Sequence, residues 1–373
     1  MNKFAFIAHP INLPHIYEIF RGFRRGAALL LQRNTLKELL AKSGPIKFAD
    51  CRNIKSVSGA TAYGEGILCS LLPDQFVSHN EEFVLNKIAQ AVAMAEELGA
   101  KIATLGGFNS VIGNEGGELE KRFKSIALTS GNTCTAALVI KSIIRASDML
   151  DLDLKNSTLT IIGATGDIGS ICAKVFSKKV KVLHIVARKQ DRLLSFCEVL
   201  KKHSSACIKV FKRTSEAIKT SDIILSTTSS LTTLIDPLIL KPGAIVCDVS
   251  IPSNIPAEIL NLRNDVLVFE GGLAKFTPCT PIKAKHWNRL LPWDRVYGCL
   301  TEAIVLTFEN RFENYSIGRG NITEEKIREM TSLLRKHSFE VSDFFCGSRF
   351  YSNQDIENIK ISRMGRLTHA NHV

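Results

Sequence analysis

Thr158-Leu-Thr-Ile-Ile-Gly-Ala-Thr-Gly-Asp-Ile-Gly-Ser170 is an apolar β-type run that ends at Gly163, followed by a glycine turn and a helical pattern opening at Asp167. Strand, glycine turn and helix start, in that order, make a cradle for a pyrophosphate. Gly163 permits the tight turn, Gly166 lets the backbone approach the phosphates, and Gly169 lets the helix pack close to the strand. The N–H groups around Thr165, Asp167 and Ile168 then face the anion. The spacing is Gly-x-x-Gly-x-x-Gly, a variant compatible with dinucleotide binding. A carboxylate at Asp167 suits the helix start, as a cap more than as a catalytic group.

The next β-type run, Val182-Leu-His-Ile-Val-Ala-Arg188, ends where an adenosine ribose is expected. An acid there would accept from the 2′-hydroxyl. Arg188 and Lys189 stand there instead, and two cations suit a 2′-phosphate, so NADPH is the expected cofactor. The plainer alternative is that Arg188 is a solvated residue opening the next helix. Thr227, within Ser226-Thr-Thr-Ser-Ser230, falls after a strand at the edge expected to hold the nicotinamide ribose, and equally suits a turn.

Outward from this motif the pattern predicts an α/β protein: a Rossmann-type doubly wound parallel sheet, flanked by an α/β N-terminal region and a helical C-terminal region. Expected strands are Thr158–Ile162, Val182–Ala187, Cys207–Phe211, Ile223–Ser226, Ala244–Val249 and Val266–Phe269, after a helix from Ala136 to Leu150. The region boundaries fall at 1–130, 131–275 and 276–373. In the first region, helix Glu81–Leu98 carries apolar residues at helical spacing, with Asn80 as N-cap and Gly99 as C-cap. Lys101–Leu105 reads as a buried strand, and Met1–Pro10 as a strand and not a signal peptide. In the last region, helices are expected at Val296–Phe312 and Thr323–Phe339, with a loosely ordered polar stretch from Cys346.

The 373 residues are 45% hydrophobic and 23% charged, an ordinary soluble composition. No apolar span is long enough for a membrane helix, which leaves at most peripheral membrane contact and a cytoplasmic setting. The net charge of +12 favours an acidic partner. The cations are scattered apart from small clusters at Arg21–Arg25 and Lys178–Lys181, and no aromatic-interleaved basic motif points to nucleic acid. The ten cysteines include no Cys-x-x-Cys pair and read as reduced thiols, with no metal site.

One cysteine has distinctive neighbours. In Tyr297-Gly-Cys-Leu-Thr-Glu-Ala-Ile304, Cys299 sits near the start of an apolar helix, where the helix dipole favours thiolate. A thiolate can take an acyl group from a thioester. By residue chemistry alone a core cysteine is the commoner reading.

Several segments resemble the long-chain acyl-[acyl-carrier-protein] reductases of the cyanobacterial type. They are Leu105-Gly-Gly-Phe-Asn-Ser110, Thr129-Ser-Gly-Asn-Thr-Cys-Thr-Ala136, the glycine motif, Ala187-Arg188 with Asp191-Arg-Leu193, Gly298-Cys-Leu-Thr-Glu-Ala303 with Phe308-Glu309, and Asn314-Tyr-Ser-Ile-Gly-Arg-Gly-Asn-Ile-Thr323. The resemblance spans about residues 1 to 340. It implies reduction of a fatty acyl thioester to fatty aldehyde with NADPH, Cys299 being the acyl-accepting nucleophile. It also implies an acidic acyl carrier protein or acyl-CoA as donor, and an aldehyde-consuming enzyme as partner. Asn132 and Thr133 are candidate donors to the oxyanion, with a capped turn as the alternative.

The chain departs from the family in two places. Cys134 stands where His is expected, and Lys275-Phe276, within Gly271–Cys279, replaces an expected Glu-His pair. Three rivals remain: a quinate/shikimate-type NADP alcohol dehydrogenase, a glutamyl-tRNA-reductase-like enzyme using Cys51, and a non-catalytic NADP-binding homologue.

Overall fold

Lys3-Phe-Ala-Phe-Ile-Ala8 forms β1, whose four middle residues are buried, as suits a central strand of a parallel sheet. The computed structural model describes residues 2–19, 33–256, 258–276, 291 and 294–370. The cluster at Arg21–Arg25 and Cys279 lie outside them.

The chain divides into two units, Met1–Thr135 with Ala274–Glu340, and Ala136–Leu273 with Val341–Val373. The stretch from 276 to 373, expected to form one helical region, is thus shared between the two.

In the first unit β1 joins β2 (Ile46–Lys55), β3 (Thr61–Leu68), β4 (Ile102–Leu105) and β5 (Ala127–Thr129), in the order β2-β3-β1-β4-β5. Only β2 runs antiparallel to its neighbour. Helix Glu81–Glu97 buries Val84, Leu85, Ile88, Val92 and Ala95 in the same core as Ile7, Ile67 and Leu105. Asn80 caps it by accepting from the Phe83 N–H at 2.8 Å, and Gly99 follows at φ +78°. The helix that was expected from Val296 to Phe312 is shorter, Gly298–Phe308, and a strand at Arg295–Tyr297 precedes it.

The second unit holds six parallel strands: β6 (Thr158–Ile162), β7 (Val182–Val186), β8 (Cys207–Phe211), β9 (Ile223–Ser226), β10 (Ile245–Asp248) and β11 (Leu267–Glu270). Their order, β8-β7-β6-β9-β10-β11, reverses between β6 and β9. This is the doubly wound Rossmann arrangement, whose ligand crevice lies at the carboxyl ends of those two strands. Each predicted strand is present, with ends that differ by no more than a residue.

The polar C-terminal stretch is ordered, contrary to the expectation from its weak patterning. A hairpin pairs Phe345–Cys346 with Arg349–Phe350, and a helix runs from Asn353 to Ala370. Ile356 and Ile359 are buried. The Val268 N–H donates to the Tyr351 hydroxyl at 3.0 Å. Arg363 donates to the carbonyls of Leu150 and Asp151 at 3.2 and 3.0 Å. Few apolar residues carry this packing, so periodicity did not reveal it.

Candidate active site

At the crevice of the second unit, the Gly163 and Ala164 N–H groups donate to the Val186 carbonyl at 2.9 and 3.1 Å, and the Gly166 N–H returns to the Gly163 carbonyl at 3.0 Å. Helix Asp167–Phe176 follows with Gly166 as N-cap and buried Asp167 as its first residue. The Ser170 N–H is the first to turn back along the helix, to the Gly166 carbonyl at 2.8 Å. The N–H groups of the first turn of a helix point along its axis without an acceptor inside the helix, and here those of Ile168 and Gly169 stand at that start, the arrangement that receives an anion.

The glycines answer to different demands. A Cβ on Gly163 would lie 2.7 Å from the Thr227 carbonyl oxygen, and one on Gly169 2.3 Å from the Gly163 oxygen. Packing therefore dictates those two, and Gly163 also has φ +84°. At Gly166 the nearest atom would be 3.4 Å away, so the protein leaves an open cradle over the middle of the loop. A dinucleotide pyrophosphate fits that cradle.

Thr227 is part of the loop's support. Its hydroxyl donates to the Ile162 carbonyl at 3.0 Å. Arg192, within the Asp191–Leu193 segment, donates to the Thr165 carbonyl at 2.6 Å and braces the loop from helix Gln190–Lys201. Arg188 and Lys189 are exposed just past β7.

In the first unit, four of the segments that carried the resemblance converge. Of the eleven residues of helix Gly298–Phe308, only Cys299 is not buried. Its thiol sulfur accepts from the Leu300 N–H and from its own N–H at the helix start. Burial nevertheless outweighs those donors and pushes the thiol up to about 12, with Glu302 acting in the same direction. Burial thus opposes the helix dipole at Cys299 and favours the thiol over the thiolate.

The Cys299 carbonyl accepts from the Thr104 hydroxyl at 3.0 Å, just before the Gly106-Gly107 turn. Gly131, at φ +72°, packs directly on Cys299. Helix Asn132–Met149 begins four residues before the predicted Ala136. Asn132 and Thr133 thus stand in its first turn.

The N–H groups at that helix start are all engaged. Those of Gly131 and Asn132 donate to the Thr129 and Ser130 hydroxyls at 3.3 Å each, and that of Thr133 to the Ser316 hydroxyl at 3.3 Å. Thr133 is wholly buried and its hydroxyl is paired with that of Ser316 at 2.6 Å. The Asn132 side chain is half-buried and beside Gly131, so its amide is the more available donor.

Glu302 went unread in the sequence beyond its place in the motif. It is wholly buried. One carboxylate oxygen accepts from the Thr129 hydroxyl and the other from the Cys134 N–H at 2.8 Å, with the Ser316 hydroxyl as a further donor. Burial pushes this carboxyl upward in spite of those donors. The Asn314–Ser316 stretch runs beside β5: the Leu128 N–H donates to the Asn314 side chain at 2.7 Å, and the Tyr315 N–H to the Leu128 carbonyl at 3.2 Å.

Cys134 is buried, and its thiol is held far above the usual range by burial, then by Glu302 and Cys299. Phe276 stacks on Phe339 with ring centres 4.3 Å apart, a core role. Cys51 is buried in β2, its thiol pushed up to about 12 by burial and then by Glu65 and Asp50. It lacks the helix-start donors of Cys299. The nine described cysteines are all free thiols. Among the described residues no His/Cys/Asp/Glu group suits a metal, and no helix is long and apolar enough to cross a membrane.

Residues 145–270 match the family model of shikimate/quinate 5-dehydrogenase. The second unit therefore carries a dehydrogenase-type nucleotide-binding fold. Across 96% of its length the chain is 26% identical to the aminotransferase PigE of a Serratia species, of which it spans 42%. Across 80% it is 28% identical to the long-chain acyl-[acyl-carrier-protein] reductase of Synechococcus elongatus, of which it spans 88%. Among solved structures, shikimate 5-dehydrogenase from Listeria monocytogenes aligns with 88% of this chain and 96% of its own, at 14% identity and a TM-score of 0.35.

Proposed function

We propose that the chain reduces a fatty acyl thioester, presented by an acidic acyl carrier protein or by CoA, to fatty aldehyde at the expense of NADPH. The observation that carries this reading is the setting of Cys299. It is the single accessible residue of an otherwise buried helix, with two N–H groups at its sulfur and Gly131 against its backbone. The Synechococcus relative bears the name of this activity and aligns over most of its own length. The dehydrogenase family match ends at residue 270 and so speaks for the cofactor, not the substrate.

In this reading the loop Gly163–Gly169 holds the pyrophosphate, and Arg188 with Lys189 the 2′-phosphate. Bound NADPH supplies the hydride that reduces the acyl carbon. Cys299 gives up its proton as it attacks the thioester carbonyl, and the Leu300 and Cys299 N–H groups stabilise the emerging thiolate. The carbon–sulfur bond to the donor breaks, and the donor leaves as a thiol carrying a proton. The acyl group now rides on Cys299. After reduction, aldehyde departs and the Cys299 thiolate takes up a proton from solvent. An oxyanion forms in both halves, and the Asn132 amide is the donor assigned to it. The net charge of +12 suits an acidic carrier. An enzyme that consumes the aldehyde is the expected partner. An aminotransferase acts on a carbonyl group, and the larger relative is named as one.

The test is an intact-protein mass spectrum after incubation with acyl-carrier thioester, without NADPH. An acyl adduct that disappears in Cys299→Ala supports the reading. Failure to form one, together with NADPH-dependent reduction of a cyclic ketone, overturns it in favour of an alcohol dehydrogenase. NADPH binding with neither reaction marks a non-catalytic homologue.

A further inference from the structure

We propose that Glu302 is a positioning residue of the cysteine site, its carboxylate clamping the 129–134 loop and the Ser316 segment onto the Cys299 helix. This rests on Cys299 being the acyl-accepting group.

Helix Gly298–Phe308 is buried at every residue but Cys299. An acid in its middle is costly to desolvate unless its oxygens are met by donors. Three donors meet them, from Thr129, Cys134 and Ser316. These residues come from chain segments far apart in sequence, and the carboxylate is where they join. Glu302 lies three residues after Cys299, on the same helix face. Gly131, which presses on Cys299, lies between Thr129 and Cys134, the two loop residues the carboxylate holds.

The groups acting on this carboxylate, or feeling it, are Cys299 on its own helix, Cys134 on the loop, Tyr315, and Lys326 from helix Glu324–Lys336. Lys326 also donates to the Tyr315 carbonyl at 2.6 Å, which holds the Ser316 segment from its other side. None of the three donors needs the negative charge to remain bound. In Glu302→Gln the amide oxygen can accept from the Cys134 N–H, while the amide nitrogen donates to a hydroxyl turned to receive it. Glu302→Ala removes clamp and charge together.

The experiment compares the two variants twice. Alkylation of the Cys299 peptide by iodoacetamide, followed by peptide mass spectrometry, needs no substrate. The charge is absent from both variants, so at any one pH the ratio of their rates reads the clamp alone. A difference of at least roughly tenfold is expected. In acyl transfer, Glu302→Ala should lose on the order of 100-fold in kcat with KM little moved, and Glu302→Gln should recover most of that loss. Equal alkylation rates in the two variants overturn the clamp, whether or not acyl transfer occurs. Unequal rates with no acylation of the wild type leave the clamp standing and remove the acyl-transfer reading. If Glu302→Ala does not fold, Ser316→Ala and Thr129→Val each delete one donor and keep the charge. They are then read against wild type, and unchanged alkylation overturns the proposal.

Discussion

Gly131 lies so close to Cys299 that a Cβ built on it would sit 2.1 Å from the Cys299 Cα and 2.5 Å from its Cβ. No side chain of any size fits there, and the φ of +72° independently favours glycine. Gly131→Ala should therefore displace the Cys299 helix start. The expected outcome is a loss of about 1–3 kcal/mol in stability, read by urea denaturation, and loss of acyl-enzyme formation with NADPH binding retained.

Arg188 should distinguish the two nicotinamide dinucleotides. It is exposed just past β7 and is free to meet a 2′-phosphate. A charge-assisted hydrogen bond is worth about 1.5–3 kcal/mol. Arg188→Ala should then weaken NADPH binding by roughly 10- to 100-fold and leave NADH binding nearly unchanged. Fluorescence titration of both forms gives the ratio. Equal losses for both would locate the 2′-phosphate contact elsewhere.

The glycine loop should tolerate change unevenly. Gly169→Ala sets a methyl group 2.3 Å from the Gly163 oxygen and 2.8 Å from the Thr227 hydroxyl, and should abolish dinucleotide binding and destabilise the second unit. Arg192→Ala removes the brace on the Thr165 carbonyl. Its expected effect is milder, about 1–3 kcal/mol of binding energy, with the fold intact by circular dichroism.

His9 and Glu270 should respond oppositely to pH. Burial holds His9 at about 4, below its ordinary 6.5. Its neutral ring accepts from the Phe108 N–H at 3.1 Å. The unfolded chain takes up the proton first, so this contribution is complete above pH 6.5 and is lost as pH falls toward 4, on the order of 3 kcal/mol at most. Burial raises Glu270 from 4.5 to about 7. There the folded state binds the proton more tightly, so the contribution is complete below pH 4.5 and is lost as pH rises through 7. Hydrogen exchange across pH 4 to 8 should show the backbone around His9 loosening in acid and that around Glu270 loosening toward neutrality. His9→Asn should flatten the first trend.

The parallel sheet was legible because its signals are local: apolar runs five or so residues long, punctuated by glycine and polar turns. Cys299 was legible only through its neighbours in sequence. Glu302 was not, because an acid inside an apolar helix acquires meaning from Thr129 and Ser316, residues that only the fold brings to it. The C-terminal helix escaped for a related reason. Its anchorage is largely polar, through Arg363 to two carbonyls and against Gly243, where a Cβ would meet Arg363 Cβ at 2.2 Å. Hydrophobic periodicity does not register such contacts.

Both units are assembled from separated stretches of chain, and this sets a timetable for synthesis. The first 135 residues emerge without the Cys299 helix that fills their core, and wait for a partner that begins at Ala274. At ribosomal speed the delay is on the order of ten seconds. Through that interval the apolar faces of β1, β3 and β4 stand without the helix that covers them. Apolar sheet faces left open in that way are prone to aggregation until the helix arrives.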